Sequence, residues 1–146
     1  MVMVDVSDKP EAERQATASG KIKLKTETIN LIRDRKIAKG DPLYTAQIAA
    51  ILAAKKTSGL IPLCHPLPLT KVEAKATIID ENTVEVQSTV KTKAQTGVEM
   101  EALTATTIGL LTVWDMVKQY EKDKHGQYPS TAIEDIKVLR KIKEVL

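Results

Sequence analysis

The stretch LIPLCHPLPLT, residues 60–70, sets the only cysteine, Cys64, beside one of two histidines, His65, among three prolines. An imidazole titrates near neutrality, so it can carry protons, bind a metal or hold a polar ligand. Zinc usually takes three or four ligands, and no CxxC, HxxxH or HExxH spacing is present to supply them; a metal is not expected. Two readings stay open, a stiff turn and a histidine held towards a ligand. Pro62, Pro66 and Pro68 serve either, because each fixes φ and extends the residue before it. Cys64 lies in an apolar run with no cationic activator except its neighbour and reads as a packed thiol. His125, in KDKHGQY, reads as solvated.

Three further segments hold groups that could do chemistry. In KGDP, residues 39–42, Asp41 is explained as a helix cap with Pro42 behind it. Lys39 is not so explained, since a cation at a helix N-terminus opposes the dipole. In TGVEMEALTA, Glu99 and Glu101 fall in a first helical turn, where carboxylates belong on electrostatic grounds alone. In WDMVK, Asp115 and Lys118 are three apart on one helix face. They read as a surface ion pair or as an acid/base pair in which the carboxylate tunes the amine. No GxGxxG, Walker or GxSxG pattern occurs, so no glycine-rich phosphate cradle is expected.

The elements that must position these groups follow from periodicity. Residues 1–14 read as a polar arm and 15–25 as a strand with Ile22 and Leu24 on one face. TETINLIRDRK opens a short helix with Thr26 as its cap. PLYTAQIAAILAAKK follows Asp41 and is apolar on most faces, so it should be well buried. Strands of roughly 69–79 and 83–93 flank a DEN turn. TGVEMEALTATTIGLLTVWDMVKQYEK predicts a helix of about 25 residues, and TAIEDIKVLRKI a last strand. With the first two helices counted as one crossover, this is the βαββαβ pattern of an α+β, ferredoxin-like fold: an antiparallel sheet with helices on one face. The other face needs a cover, for which a second subunit is a candidate.

The long helix adds a constraint. Glu101 and Asp115 are 14 residues apart, about 21 Å along an α-helix. They cannot reach one small substrate from one subunit. Either one is structural or the site spans a subunit interface.

Bulk properties narrow the class. At 146 residues and 42% hydrophobic, the chain suits a single domain, 1–146, with an ordinary aliphatic core. Aromatic residues are 3%, too few for stacking single-stranded nucleic acid. The net charge of +3 is made of interleaved acids and bases, with no basic block of nucleic-acid type. One cysteine cannot close an internal disulfide and suits a reducing compartment. No apolar run approaches the ~20 residues of a membrane span, so a cytoplasmic protein is expected.

Taken together, MVDVSDKPEAERQA, KGDPLYTAQIAAILAAKKTSGLIPLCHPLPLTKVE, TGVEMEALTATTIGLLTVWDMVK and IEDIKVL resemble the cyclic pyranopterin monophosphate synthases, the molybdenum cofactor biosynthesis protein C family. The resemblance runs from about residue 3 to residue 139. It implies a lyase of the phosphorus–oxygen type that converts 3',8-cyclo-7,8-dihydro-GTP to cyclic pyranopterin monophosphate and releases pyrophosphate. It implies a ferredoxin-like fold, a homohexamer built as a trimer of dimers, and sites between subunits. By the same resemblance Asp115, Lys118 and Lys39 are the catalytic positions. Leu63, Cys64 and His65 line the substrate pocket, with Met100, Glu101 and Glu99 at the start of the long helix. Asp5, Lys9 and Arg14 match the polar arm, the last two facing the triphosphate. No cofactor is implied, and Mg²⁺ would enter only with the phosphates.

One departure stands out. Many members end in a Gly-Lys-rich tail, whereas this sequence reads VLRKIKEVL after an extra KHGQYPSTA loop. A tail lysine that would reach the phosphates is either missing or replaced by Lys137, Lys141 or Lys143. The competing reading is a non-catalytic nucleotide- or pterin-binding oligomer on the same fold. The joint presence of Lys39, His65, Glu101, Asp115 and Lys118 favours the enzyme.

Overall fold

The computed structural model describes all 146 residues. Four strands and four helices follow in the order β1 (Ala12–Lys23), α1 (Thr26–Arg33), α2 (Pro42–Lys55), α3 (Thr57–Leu60), β2 (Leu69–Asp80), β3 (Thr83–Ala94), α4 (Glu99–Glu121) and β4 (Ala132–Val145). The strands form one antiparallel sheet in the order β2-β3-β1-β4. The first and last strands of the chain are thus neighbours, and the β2-β3 hairpin completes the sheet, which is the ferredoxin-like arrangement. No helix is long and apolar enough to cross a membrane.

Period-two alternation decides what each strand buries. Ala16, Ala18 and Ile22 of β1 and Val84, Val86 and Val90 of β3 are fully buried beneath α2 and α4. Gly20 sits where a side chain could not, since a Cβ there would lie 2.7 Å from Leu110 Cδ1 and 2.9 Å from Ile136 Cγ1. The small residue lets α4 lie close on the sheet. The opposite face of these two strands carries Glu13, Gln15, Lys21 and Lys23, then Glu85, Gln87, Lys91 and Lys93. Thr17 and Thr89 are bonded across it at 2.8 Å. Such a face is stable in water, so it does not by itself demand the cover expected from sequence.

Exposed apolar residues lie on the helix layer and along the edge strand β4, where Val138, Leu139, Ile142 and Val145 are exposed. Tyr44, Ile48 and Leu52, four apart on α2, are exposed, as are Met100 and Leu111 on α4. This corrects the expectation that α2, apolar on most faces, is well buried. A two-layer fold leaves each helix an outer face, and only Pro42 and the alanine stripe, Ala46, Ala50, Ala53 and Ala54, are buried. Element boundaries also shift. β1 begins at Ala12 and so takes in Arg14 at the end of the expected arm. Thr26 does not cap α1, because the N-cap is Lys25 and makes no side-chain bond; the Thr26 hydroxyl instead accepts from Asn82 Nδ2 at 2.9 Å. Asp41 does cap α2, its Oδ1 accepting from the amides of Leu43 and Tyr44 at 3.0 and 3.2 Å.

Candidate active site

Two groups of polar side chains stand at opposite ends of α4. At its C-terminal half, Asp115 accepts from Lys118 Nζ at 2.9 Å on Oδ1 and from Lys39 Nζ at 3.2 Å on Oδ2. Lys39 also donates to the Asp115 carbonyl at 3.1 Å. Lys118 reaches Asp115 by helical spacing. Lys39 reaches it because the connection from α1 to α2 turns back over α4, through Arg35 and Gly40, both at positive φ. Gly40 at φ +119 occupies a region open essentially to glycine. The Lys118 hydrogen bond, then that of Lys39, holds the Asp115 carboxyl below its ordinary range, and the same carboxylate raises Lys118. All three side chains remain accessible to a ligand. A carboxylate with two ammoniums can hold an oxyanion or pass protons.

At the N-terminal end, Glu101 is 3% exposed, and its Oε1 is buried with no partner. The Cys64 thiol donates to its other oxygen at 3.8 Å. Burial is the main cause that raises the Glu101 carboxyl. Burial, and then the Glu101 charge, raises the Cys64 thiol. Burial favours the protonated form of this carboxyl, which suits a group that takes up and gives back a proton. His65 Nε2 lies 2.6 Å from the Val4 carbonyl. The N-terminal segment thereby closes one wall of a cleft of about 430 Å³ lined by Met3, Val4, Asp5, Val6, Ser7, His65 and Gln95. Leu63 and Met100 are exposed beside this end of the molecule. Cys64 is half-buried, and Pro68 anchors the segment through its carbonyl, which accepts from Thr92 Oγ1 at 2.7 Å.

The remaining sequence candidates lie around this second group. Glu99 pairs with Lys141 at 3.1 Å, which makes Lys141 the strand β4 lysine that touches the start of α4. Lys137 pairs with Asp135 at 3.4 Å. The Asp5 carboxylate accepts from the Ser7 amide at 2.9 Å, and Ser7 holds it below its usual range. Lys9 is exposed. Arg14 is buried, its guanidinium donating to the carbonyls of Ala94, Pro10 and Gln95 at 3.1, 3.5 and 3.3 Å. That anchors the arm to the sheet. No group of three or more His, Cys, Asp or Glu side chains stands close enough to hold a metal ion.

Four contributors carry no signal in the sequence. The Val4 carbonyl and Gln95, whose Nε2 donates to the Ser7 carbonyl at 3.3 Å, fix the arm. Tyr120 accepts the Ala38 amide on its hydroxyl at 2.8 Å. Glu121, fully buried, accepts from the Thr28 and Thr131 hydroxyls and the Lys25 amide. Glu121 reads in sequence as one more charge at a helix end. Its burial depends on where β4 returns.

Known proteins are similar to this chain over nearly its whole length. The MoaC family model matches residues 3–143. A probable cyclic pyranopterin monophosphate synthase of Pyrococcus abyssi is 56% identical over 97% of this chain and 88% of its own length. One of Sulfolobus acidocaldarius is 55% identical over 97% of this chain and 98% of its own. A probable cyclic pyranopterin monophosphate synthase accessory protein of Methanothermobacter thermautotrophicus is 55% identical over 97% and 88%. With the family pattern running almost end to end, and the carboxylate–lysine cluster set on the strand and helix order described above, this chain belongs to the MoaC family.

Proposed function

We propose that this chain is a cyclic pyranopterin monophosphate synthase of molybdenum cofactor biosynthesis. It takes 3',8-cyclo-7,8-dihydro-GTP and releases pyrophosphate, as a phosphorus–oxygen lyase in the cytoplasm. The observation that carries the reading is the Asp115 carboxylate shared by Lys118 and Lys39. The relatives' names and the family match support the same activity.

The chemistry asks for what these residues supply. Closing the cyclic phosphate forms a bond from a ribose oxygen to the α-phosphorus and breaks the bond to the pyrophosphate. The attacking hydroxyl gives up a proton, and the leaving group departs with added negative charge. Ammonium groups stabilise that charge, and a carboxylate and amine in contact can relay the proton. Opening the imidazole-type ring breaks a carbon–nitrogen bond and closing the pterin forms one, and each needs proton transfers to and from nitrogen and oxygen. Glu101, held towards its neutral form, and His65 suit them. None of these steps calls for a redox cofactor, so we assign none, and Mg²⁺ would act only through the phosphates.

The two ends of α4 serve one substrate if subunits pair. Glu101 and Asp115 are about 21 Å apart on one helix. A two-fold axis passing beside Ile108, midway between them, would set Glu101 of one copy near the Asp115 end of the other. The exposed apolar residues of the helix layer, Tyr44, Ile48, Leu52 and Leu111, suit such a contact. We extend this pairing to a homohexamer built as a trimer of dimers.

The test is pyrophosphate release from purified protein given the cyclic dihydro-GTP substrate, beside Lys118→Ala and Asp115→Asn. Release by the wild type, with loss in both folded variants, supports the synthase. Binding without turnover by the wild type would make the chain a non-catalytic pterin- or nucleotide-binding oligomer.

A further inference from the structure

We propose that Tyr120 is a positioning residue for the reaction: its hydroxyl fixes the Ala38–Lys39 segment so that the Lys39 ammonium meets the Asp115 carboxylate. The inference rests on the proposed synthase reaction for its kinetic consequence, and on the geometry alone for its structural one.

Lys39 belongs to no helix or strand. It sits in the connection between α1 and α2, where every residue from Arg33 to Asp41 is exposed except Ile37. The main-chain bonds within this connection are short-range, Lys36 to the Leu31 carbonyl at 2.9 Å and Gly40 to the Ile37 carbonyl at 3.1 Å. They shape the turn but do not hold it against α4. One main-chain bond does, from the Ala38 amide to the Tyr120 hydroxyl at 2.8 Å. Ala38 is the residue before Lys39, so this bond sets where the lysine side chain starts.

Tyr120 is suited to the task. Its ring packs against the core cluster around Ile22 and Ile37, which fixes the hydroxyl. Its own carbonyl accepts from Lys25 Nζ at 3.3 Å. Asp115 stands five residues earlier on the same helix, so one rigid element carries both the carboxylate and the hydroxyl that brings its second lysine to it. Lysine is long and mobile. An ammonium that must meet both the Asp115 carbonyl and its Oδ2 therefore depends on a fixed starting point. Displacement of about 1 Å at such a group is enough to cost a large factor in rate.

Tyr120→Phe keeps the ring and removes the hydroxyl. We expect kcat for pyrophosphate release to fall about tenfold, with KM within about twofold of wild type. The loss should vanish in a Lys39→Ala background, where there is no ammonium left to place. In the NMR spectrum of Tyr120→Phe the Lys39 ε-methylene should move towards the free-lysine position while that of Lys118 stays. An equal fractional loss in both backgrounds, or a Lys39 signal that does not move, overturns the proposal. If the wild type itself never releases pyrophosphate, the synthase reading fails, and the Lys39 signal alone decides the role of Tyr120.

Discussion

Asp115 is shared between two lysines that come to it by different routes. Lys118 bonds Oδ1 at 2.9 Å from the next turn of the same helix, and Lys39 bonds Oδ2 at 3.2 Å from a distant connection. The first contact is guaranteed by helical spacing. The second exists only because the chain folds the α1–α2 connection onto α4. The cluster is exposed, so its value lies in holding charges in place rather than in stability.

Asp115→Asn keeps the shape and removes the charge. The Lys118 pKa is raised chiefly by its hydrogen bond to the Asp115 carboxylate and by that charge. Neutralising the carboxylate should therefore lower the Lys118 pKa, a downward move that ¹⁵N NMR of the Nζ would read. An unchanged Lys118 titration would remove Asp115 as its tuning group.

Glu101→Gln should stabilise the protein at neutral pH. Burial raises the Glu101 carboxyl above its unfolded value, about 4.3. Between that value and the raised one, the native state binds the proton that the unfolded state has released. Stability therefore falls as pH rises through this window. The neutral glutamine does not titrate, so its advantage should be absent below about pH 4 and present at pH 7. The expected gain at pH 7 is about 1 kcal/mol, or a melting temperature higher by about 2–4 °C, while turnover is lost. A variant equally stable at both pH values would mean that Glu101 carries no strained charge.

Glu121→Ala should be strongly destabilising. Its carboxylate takes three donors inside the protein, the Thr28 and Thr131 hydroxyls and the Lys25 amide. These join the start of α1, the end of α4 and the approach to β4. Truncation leaves the donors without a partner and a cavity beside them. The cost should be about 3 kcal/mol, read as a fall in the urea midpoint at unchanged slope. A shift under about 1 kcal/mol would mean that water replaces the carboxylate.

Where local physics decides, the fold is legible in the sequence. The β2–β3 hairpin, the Asp41–Pro42 start of α2 and the run of α4 follow from alternation, capping chemistry and period, and the strand order follows from the element order. Thr26 fails as a cap because Lys25 already holds the extended φ/ψ of that position, and tertiary packing gives the Thr26 hydroxyl to Asn82. The outer face of α2 misleads because an exposed stripe of Tyr44, Ile48 and Leu52 has the composition of a core. The proximity of Asp115 and Lys118 is written in their spacing. The family resemblance marks Lys39 as a catalytic position, but its contact with Asp115 from across the fold is visible only in the structure. Tyr120 and Glu121 could not be found either way, since a tyrosine and a glutamate near a helix end look like ordinary surface residues.

The separation of Glu101 from Asp115 gives the last prediction. If each site draws on both ends of α4 from different subunits, two inactive variants should repair one another. Glu101→Gln leaves the Asp115 end intact, and Asp115→Asn leaves the Glu101 end intact. In a mixed pair, one site receives both substitutions and the other receives neither. With equal amounts and random exchange, half of the pairs are mixed and half of their sites are intact. About a quarter of wild-type pyrophosphate release should therefore return after the variants are unfolded together and refolded. Refolding each variant alone should return none. If the mixture stays inactive while size-exclusion chromatography shows mixed oligomers, each subunit holds its own site. The two ends of α4 would then have separate tasks, with only one of them at the reacting atoms.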